Sequence, residues 1–240
     1  MKRLLKGTLR LIALLISLGI VAGMVPAGVF AWKGYRMYRE AVTETPVAEK
    51  VESIQSMDGY VYYDELPEIY IDAVISVEDK RFFSHGGVDP IAIARAAWND
   101  IRTMSFVEGG STITQQIAKN EYFTQEKRME RKFAEVFVAF ELESVCTKEE
   151  IFEMYVNTIY FGSNYYGIRA ASLGYYGCEP SELTDYQAVM LAGLPNAPSA
   201  YSLDVNPELA EQRMAQVIDR MVECDRLTRE EGDALLAQQP

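Results

Sequence analysis

The sequence predicts a mainly α-helical fold: one apolar N-terminal helix, a small β element, then a single helical domain. Three observations carry this. Leu11 to Trp32 is a run of 22 residues without a charge, close to the length that crosses a bilayer core as one helix. From Asp89 onward, helix-start signals recur, with apolar residues at helical spacing after them. No internal repeat or low-complexity tract interrupts the pattern.

Lys2, Arg3, Lys6 and Arg10 precede the apolar run, and Lys33, Arg36 and Arg39 follow it. The short basic start places residues 1–10 in the cytoplasm, 11–32 in the membrane as a signal-anchor, and the rest outside. A cleaved signal peptide is the alternative, with Val25-Pro26-Ala27 as a poor cleavage site. The run exceeds the usual apolar core of such a peptide, and Trp32-Lys33 resembles an interfacial anchor. Residues 33–50 read as a linker and 51–240 as the main domain.

Within that domain, SIQSMDGYVYY holds Asp58-Gly59 between short apolar stretches, which predicts a β-hairpin. Leu66, Ile69, Tyr70, Ala73, Val74 and Val77 then follow helical spacing up to Glu78. Asp89-Pro90 and Asn206-Pro207 each pair a cap with a proline at the first helical position. Thr147 with Glu150, Thr184 with Gln187 and Thr228 with Glu231 form capping boxes. Met104, Phe106 and Val107 fall in a glycine- and serine-marked loop, either core-forming or touching lipid.

Charge narrows the function. Residues 1–40 carry a net +6, which leaves −18 on the remaining 200. A domain that acidic does not suit general nucleic-acid binding, and an anionic substrate would need a local cationic patch. The three cysteines, Cys146, Cys178 and Cys224, show no CxxC or metal spacing, and the odd count leaves at least one unpaired within the chain.

Three stretches are dense in chemistry. SVEDKRFFSHGG (76–87) ends a helix with Glu78-Asp79 and carries the only histidine, His85. GGSTITQQIAKN (109–120) crowds Ser111, Thr112, Thr114, Gln115 and Gln116 before Lys119, where a helix cap accounts for one such residue. Neutral donors and acceptors beside a cation suit sugar hydroxyls and phosphate. In KRMERKFAEVFVAF (127–140), helical spacing gathers Lys127, Arg128, Arg131 and Glu135 on one face, with Lys132 at its margin. Phe133, Val136, Phe137 and Phe140 fall opposite, as a predicted core face. The charged face reads either as solvated, with Arg131–Glu135 an i,i+4 pair, or as a diphosphate site. Tyr155, Tyr160, Tyr165 and Tyr166 read as packed aromatics.

These residues also carry a resemblance. Glu78-Asp79 with Phe82, His85 and Gly87 matches EDxxFxxHxG, Gly109–Gln116 matches GxSTxTQQ, and Arg131-Lys132 with Glu135 matches RKxxE. Lys148–Gly162 matches KxxILxxYxNxxxxG, with Phe152 in place of leucine. The chain resembles the family 51 glycosyltransferases, the peptidoglycan polymerases that occur alone or as the first domain of class A penicillin-binding proteins. A fifth motif departs from the pattern: QRMAQVIDRM sets Gln212 before a single Arg213. No SxxK, SxN or KTG set occurs, so the resemblance is to a monofunctional enzyme without a transpeptidase domain.

The resemblance implies a lysozyme-like helical domain that polymerises lipid II into glycan strands. The transfer would be inverting and β-1,4, and would release undecaprenyl diphosphate. It implies Glu78 as general base, with Asp79, Phe82, His85 and Gly87 supporting it, and Glu135 as the second essential carboxylate. Ser111, Thr112, Gln115, Gln116, Lys119, Arg131 and Lys132 would bind sugar and diphosphate. A divalent cation, Mg²⁺ or Mn²⁺, is the expected cofactor, with no ligand set identified. The implied partners are lipid II, the growing lipid-linked chain, the bacterial plasma membrane and other cell-wall synthesis proteins. Moenomycin would compete with lipid II. The rival readings are a lysozyme-like glycan hydrolase, which does not predict GGSTITQQ followed by the basic Glu135 face, and a non-catalytic glycan-binding scaffold, against which intact Glu78 and Glu135 argue.

Overall fold

Helix α3 (Glu68–Glu78) lies at the centre, because EIYIDAVISVE is apolar around most of its circumference: Tyr70, Ile71, Ala73, Val74, Ile75 and Ser76 are all buried. In this computed structural model residues 24–103, 110–124 and 128–238 are described, and they are mostly helical with no sheet. α1 covers residues 24–44. α2 (Val47–Gln55) precedes α3, and α4 (Pro90–Thr103) follows it. Next come α5 (Ile113–Tyr122), α6 (Met129–Val145), α7 (Lys148–Thr158) and α8 (Ile168–Tyr176). The chain ends with α9 (Asp185–Gly193), α10 (Pro198–Tyr201), α11 (Pro207–Glu223) and α12 (Arg229–Leu236).

α3 packs against α9 and α11, while α5 packs against α6 and α7. α7 meets α8, α8 meets α9, and one core runs through both groups. Its largest fully buried side chains include Tyr70, Phe82, Phe152, Tyr155 and Phe161. α11 turns Ala210, Met214, Val217, Ile218 and Met221 inward, the stripe its period predicts. The three predicted capping boxes all form, and Asn206 accepts from the Leu209 amide.

Several expectations are corrected. The β-hairpin at SIQSMDGYVYY does not form: α2 covers its first part, and Gly59, at φ +72°, turns the chain without a partner strand. Side chains of α7 bind that backbone instead. Asn157 Oδ1 accepts from the Val61 amide at 3.0 Å and its Nδ2 donates to the Val61 carbonyl at 2.8 Å. Glu153 accepts from the Tyr63 amide at 2.9 Å and the Tyr60 hydroxyl at 3.0 Å. The hydrogen bonds a second strand would supply are already made.

The linker expected over 33–50 is mostly helix, because α1 continues to residue 44 and breaks only at Thr45-Pro46, where proline disfavours helix at the preceding residue. The phenylalanine face of α6 is not its innermost face. Ala134, Glu135, Val138, Ala139 and Leu142 point inward, while Phe133 and Phe137 are covered by α1 and Phe140 is exposed.

Residues 11–23 of the expected membrane span lie outside the described residues, as do Met104, Phe106, Val107, Gly109 and Lys127. Among the described residues no helix is long and apolar enough to cross a membrane.

Candidate active site

Glu78 is the last residue of α3 and lines a cleft of about 490 Å³. Burial pushes its carboxyl above the ordinary range, and Gln116, Arg213 and Lys119 pull against that rise. Gln116 Nε2 donates to Glu78 Oε2 at 2.7 Å. A carboxylate at the end of a buried helix is thereby held half-desolvated, with its proton affinity raised.

Asp79, the C-cap of α3, joins three elements. Its Oδ1 lies 2.7 Å from His85 Nε2, and its Oδ2 accepts from the Ile113 amide at 3.1 Å. Ile113 opens α5, so the carboxylate also sits at a positive helix end. His85 Nδ1 faces the Gly86 carbonyl. With an acceptor at each ring nitrogen, the geometry suits the doubly protonated imidazolium. Burial lowers the His85 pKa, but the Asp79 carboxylate and the Gly86 carbonyl outweigh it and raise the pKa overall.

Gly87 is needed for close approach: a Cβ there would lie 2.8–2.9 Å from backbone atoms of Ala139 and Phe140 in α6. Its carbonyl accepts from Thr112 Oγ1 at 2.8 Å. Phe82 is fully buried, with Lys148 Nζ 4.3 Å from its ring centroid. Arg81 binds Asp89 with two nitrogens, and Asp89 also caps α4 through the Ile91 and Ala92 amides. Burial alone would raise the Asp89 pKa, yet these partners bring it to about 2.

The second cluster centres on Glu135, whose side chain is 0% exposed. Lys132 Nζ lies 2.8 Å from Oε2 and Arg131 Nε 3.1 Å from Oε1, the latter off the hydrogen-bonding direction. Lys132 also donates to Ser111 Oγ at 2.6 Å, tying α6 to the wall of the cleft. Glu135 is therefore an internal anion between two cations rather than part of a solvated face.

The structure divides the residues singled out in the sequence. Glu78, Asp79, Ser111 and Thr112 line the cleft, and Gln116 and Lys132 bond to residues that do. Thr112 and Gln115 form the capping box of α5 and are buried, so capping absorbs one of the two glutamines. The sequence left other cleft residues unassigned: Arg95, Asn99, Asn196, Arg213 and Arg220. A signal was available, because Ala92, Arg95 and Asn99 share one face of α4 at i, i+3 and i+7. Arg213 and Arg220 share one face of α11 in the same way.

A resident metal does not fit the described residues. Asp79, His85 and Asp89 bring ligand atoms within 4.8 Å of one another. Yet Asp79 is occupied by His85 and an amide, and Asp89 by the Arg81 guanidinium, a fixed cation inside the set. Glu135 likewise already faces two cations.

Residues 45–222 match the family described as Transglycosylase. The chain belongs to this transglycosylase family, glycosyltransferase family 51. Among the family's members, "Penicillin-binding protein 1A" of Neisseria flavescens is 43% identical over 176 residues, covering 73% of this chain and 22% of that protein. "Penicillin-binding protein 1A" of Aquifex aeolicus is 44% identical over 172 residues, covering 72% and 24%. The chain thus spans less than a quarter of the length of these relatives. A crystal structure of Penicillin-Binding Protein 1A from Haemophilus influenzae aligns with 75% of this chain and 17% of that one, at 23% identity and a TM-score of 0.45. The transglycosylase match includes both Glu78 and the Glu135 cluster.

Proposed function

We propose that this chain polymerises lipid II into peptidoglycan glycan strands, by inverting β-1,4 transfer on a lysozyme-like helical domain. The observation that carries the reading is Glu78: a half-buried carboxylate of raised pKa, bonded to Gln116, in a cleft that also holds Arg95, Arg213 and Arg220.

Transfer needs one base and stabilisation of a departing diphosphate. Glu78 takes the proton of the acceptor sugar's 4-hydroxyl, and that oxygen bonds to the anomeric carbon of the growing chain. The carbon–oxygen bond to the lipid diphosphate breaks, and the diphosphate leaves with the electron pair. Burial suits Glu78 to this role, because a base with a raised pKa accepts a proton more readily near neutral pH. Asp79, His85, Phe82 and Gly87 hold the turn that follows it. Ser111, Gln116 and Lys119 contact the donor side, Thr112 and Gln115 shape it by capping α5, and Arg131, Lys132 and Glu135 supply an ordered cationic cluster for the leaving group.

Mg²⁺ or Mn²⁺ is proposed only as a counter-ion of the substrate's own diphosphate, since the described residues hold no open ligand set. The enzyme would act at the outer face of a bacterial plasma membrane, held by one N-terminal helix and working beside other cell-wall synthesis proteins. Incubating the chain with lipid II tests the reading. Long glycan chains support it; shortening of finished peptidoglycan would show a hydrolase instead. Binding of lipid II or glycan without turnover would show a scaffold.

A further inference from the structure

α1 is largely exposed between residues 24 and 36, with one clear exception: Gly34 is buried. A Cβ at Gly34 would lie 2.5 Å from Phe133 Cβ, 2.7 Å from the Glu130 carbonyl oxygen and 3.1 Å from the Ala134 nitrogen, all on α6. Other contacts continue along the same seam. Lys33 Nζ meets Glu130 at 3.4 Å, the rings of Tyr35 and Tyr38 lie 5.4 and 5.7 Å from that of Phe137, and the Tyr38 hydroxyl donates to Glu141 at 2.6 Å. Gly28, nearly two turns earlier on α1, has nothing within 4 Å of its would-be Cβ.

A helix-interior glycine is less favourable than alanine, so one at a helix crossing has a packing reason. Gly34 meets α6 at the residues flanking Arg131, Lys132 and Glu135. Gly87 meets the same helix further along, at Ala139 and Phe140. α6 is therefore gripped by backbone-to-backbone approaches from two elements, and a helix held this closely cannot shift without moving its ion cluster.

We propose that Gly34 is a positioning residue: its close approach seats α1 on α6 and sets where α6 places Lys132 and Glu135 against Ser111. This rests on the reading that the cluster serves the departing diphosphate. A displacement of about 1 Å at such a cluster is enough to cost on the order of a hundredfold in rate.

The test compares Gly34→Ala with Gly28→Ala in the full chain, two matched changes in one helix. With lipid II as substrate, Gly34→Ala is expected to lower kcat about tenfold or more, leaving KM within about threefold and the melting temperature within a few degrees. Gly28→Ala is expected to behave as the unsubstituted chain. Hydrogen exchange at the amides of residues 131–137 is expected to quicken only in Gly34→Ala. An unchanged kcat, or a loss of turnover that merely tracks loss of folded protein, overturns the positioning role. Unchanged exchange overturns the seating itself. If the unsubstituted chain does not turn over lipid II, the proposed function fails, and the exchange comparison still decides the seating.

Discussion

Gln116 holds Glu78 through a single 2.7 Å hydrogen bond from its side-chain amide, and this bond works against the burial that raises the Glu78 pKa. Replacing it with leucine removes the donor, so the Glu78 pKa rises further. A base must be deprotonated to act, so the acid limb of the kcat profile moves to higher pH. On the acid limb the loss is expected to be on the order of tenfold, the rate equivalent of a hydrogen bond to a charged group, and smaller on the plateau at higher pH. An acid limb that stays in place would remove Gln116 from this role.

Glu78→Gln is expected to lower lipid II turnover by roughly 10²- to 10⁴-fold. Its effect on stability runs the other way. The folded-state pKa lies above the unfolded value, so Glu78 favours folding at low pH and opposes it once both states are ionised. The glutamine variant should therefore melt no lower than the parent at pH 7, and should lose less stability as pH rises above the usual glutamate range. Calorimetry across pH reads both effects.

His85 is the only histidine, so one pair of ring resonances reports it directly. Its pKa is expected above the ordinary 6.5 and to fall in Asp79→Asn. A raised histidine pKa stabilises the fold fully below the unfolded value, and that contribution fades as pH rises through the folded value. Asp79→Asn should also destabilise by about 1.5–3 kcal/mol, because it weakens a charge-assisted bond at a buried junction.

Lys132→Met leaves buried Glu135 with Arg131 alone. It is expected to cost about 1–3 kcal/mol as well as activity. Adding Glu135→Gln should recover most of the stability and none of the turnover. Recovery of both in the double variant would make the cluster purely structural.

Treatment with a chelator should leave the melting temperature unchanged, because the Asp79–His85–Asp89 set already holds Arg81 and the Glu135 cluster holds two cations of its own. Any effect should appear only in turnover with the diphosphate substrate. A chelator-induced drop in melting would reveal a structural metal.

What the sequence determined by itself was local. The capping boxes at Thr147, Thr184 and Thr228 formed because their partners lie three residues apart, within reach of one turn. The α11 stripe and the helix leading to Glu78 followed from period alone. The motif residues were legible too, as patterns rather than as geometry.

Tertiary structure decided what lies between neighbours distant in sequence. Asn157 took over the backbone of Val61 from 96 residues away, and the predicted hairpin vanished. Glu135, read as one side of an open charged face, became the buried centre of its cluster, while of the phenylalanines meant for the core Phe133 and Phe137 were covered by α1 and Phe140 was left exposed. Arg213 left a degenerate motif and entered the cleft beside Glu78. Periodicity counts the faces of a helix, but which neighbour covers each face depends on packing across the whole chain, and that alone sets burial, charge balance and the pKa of Glu78.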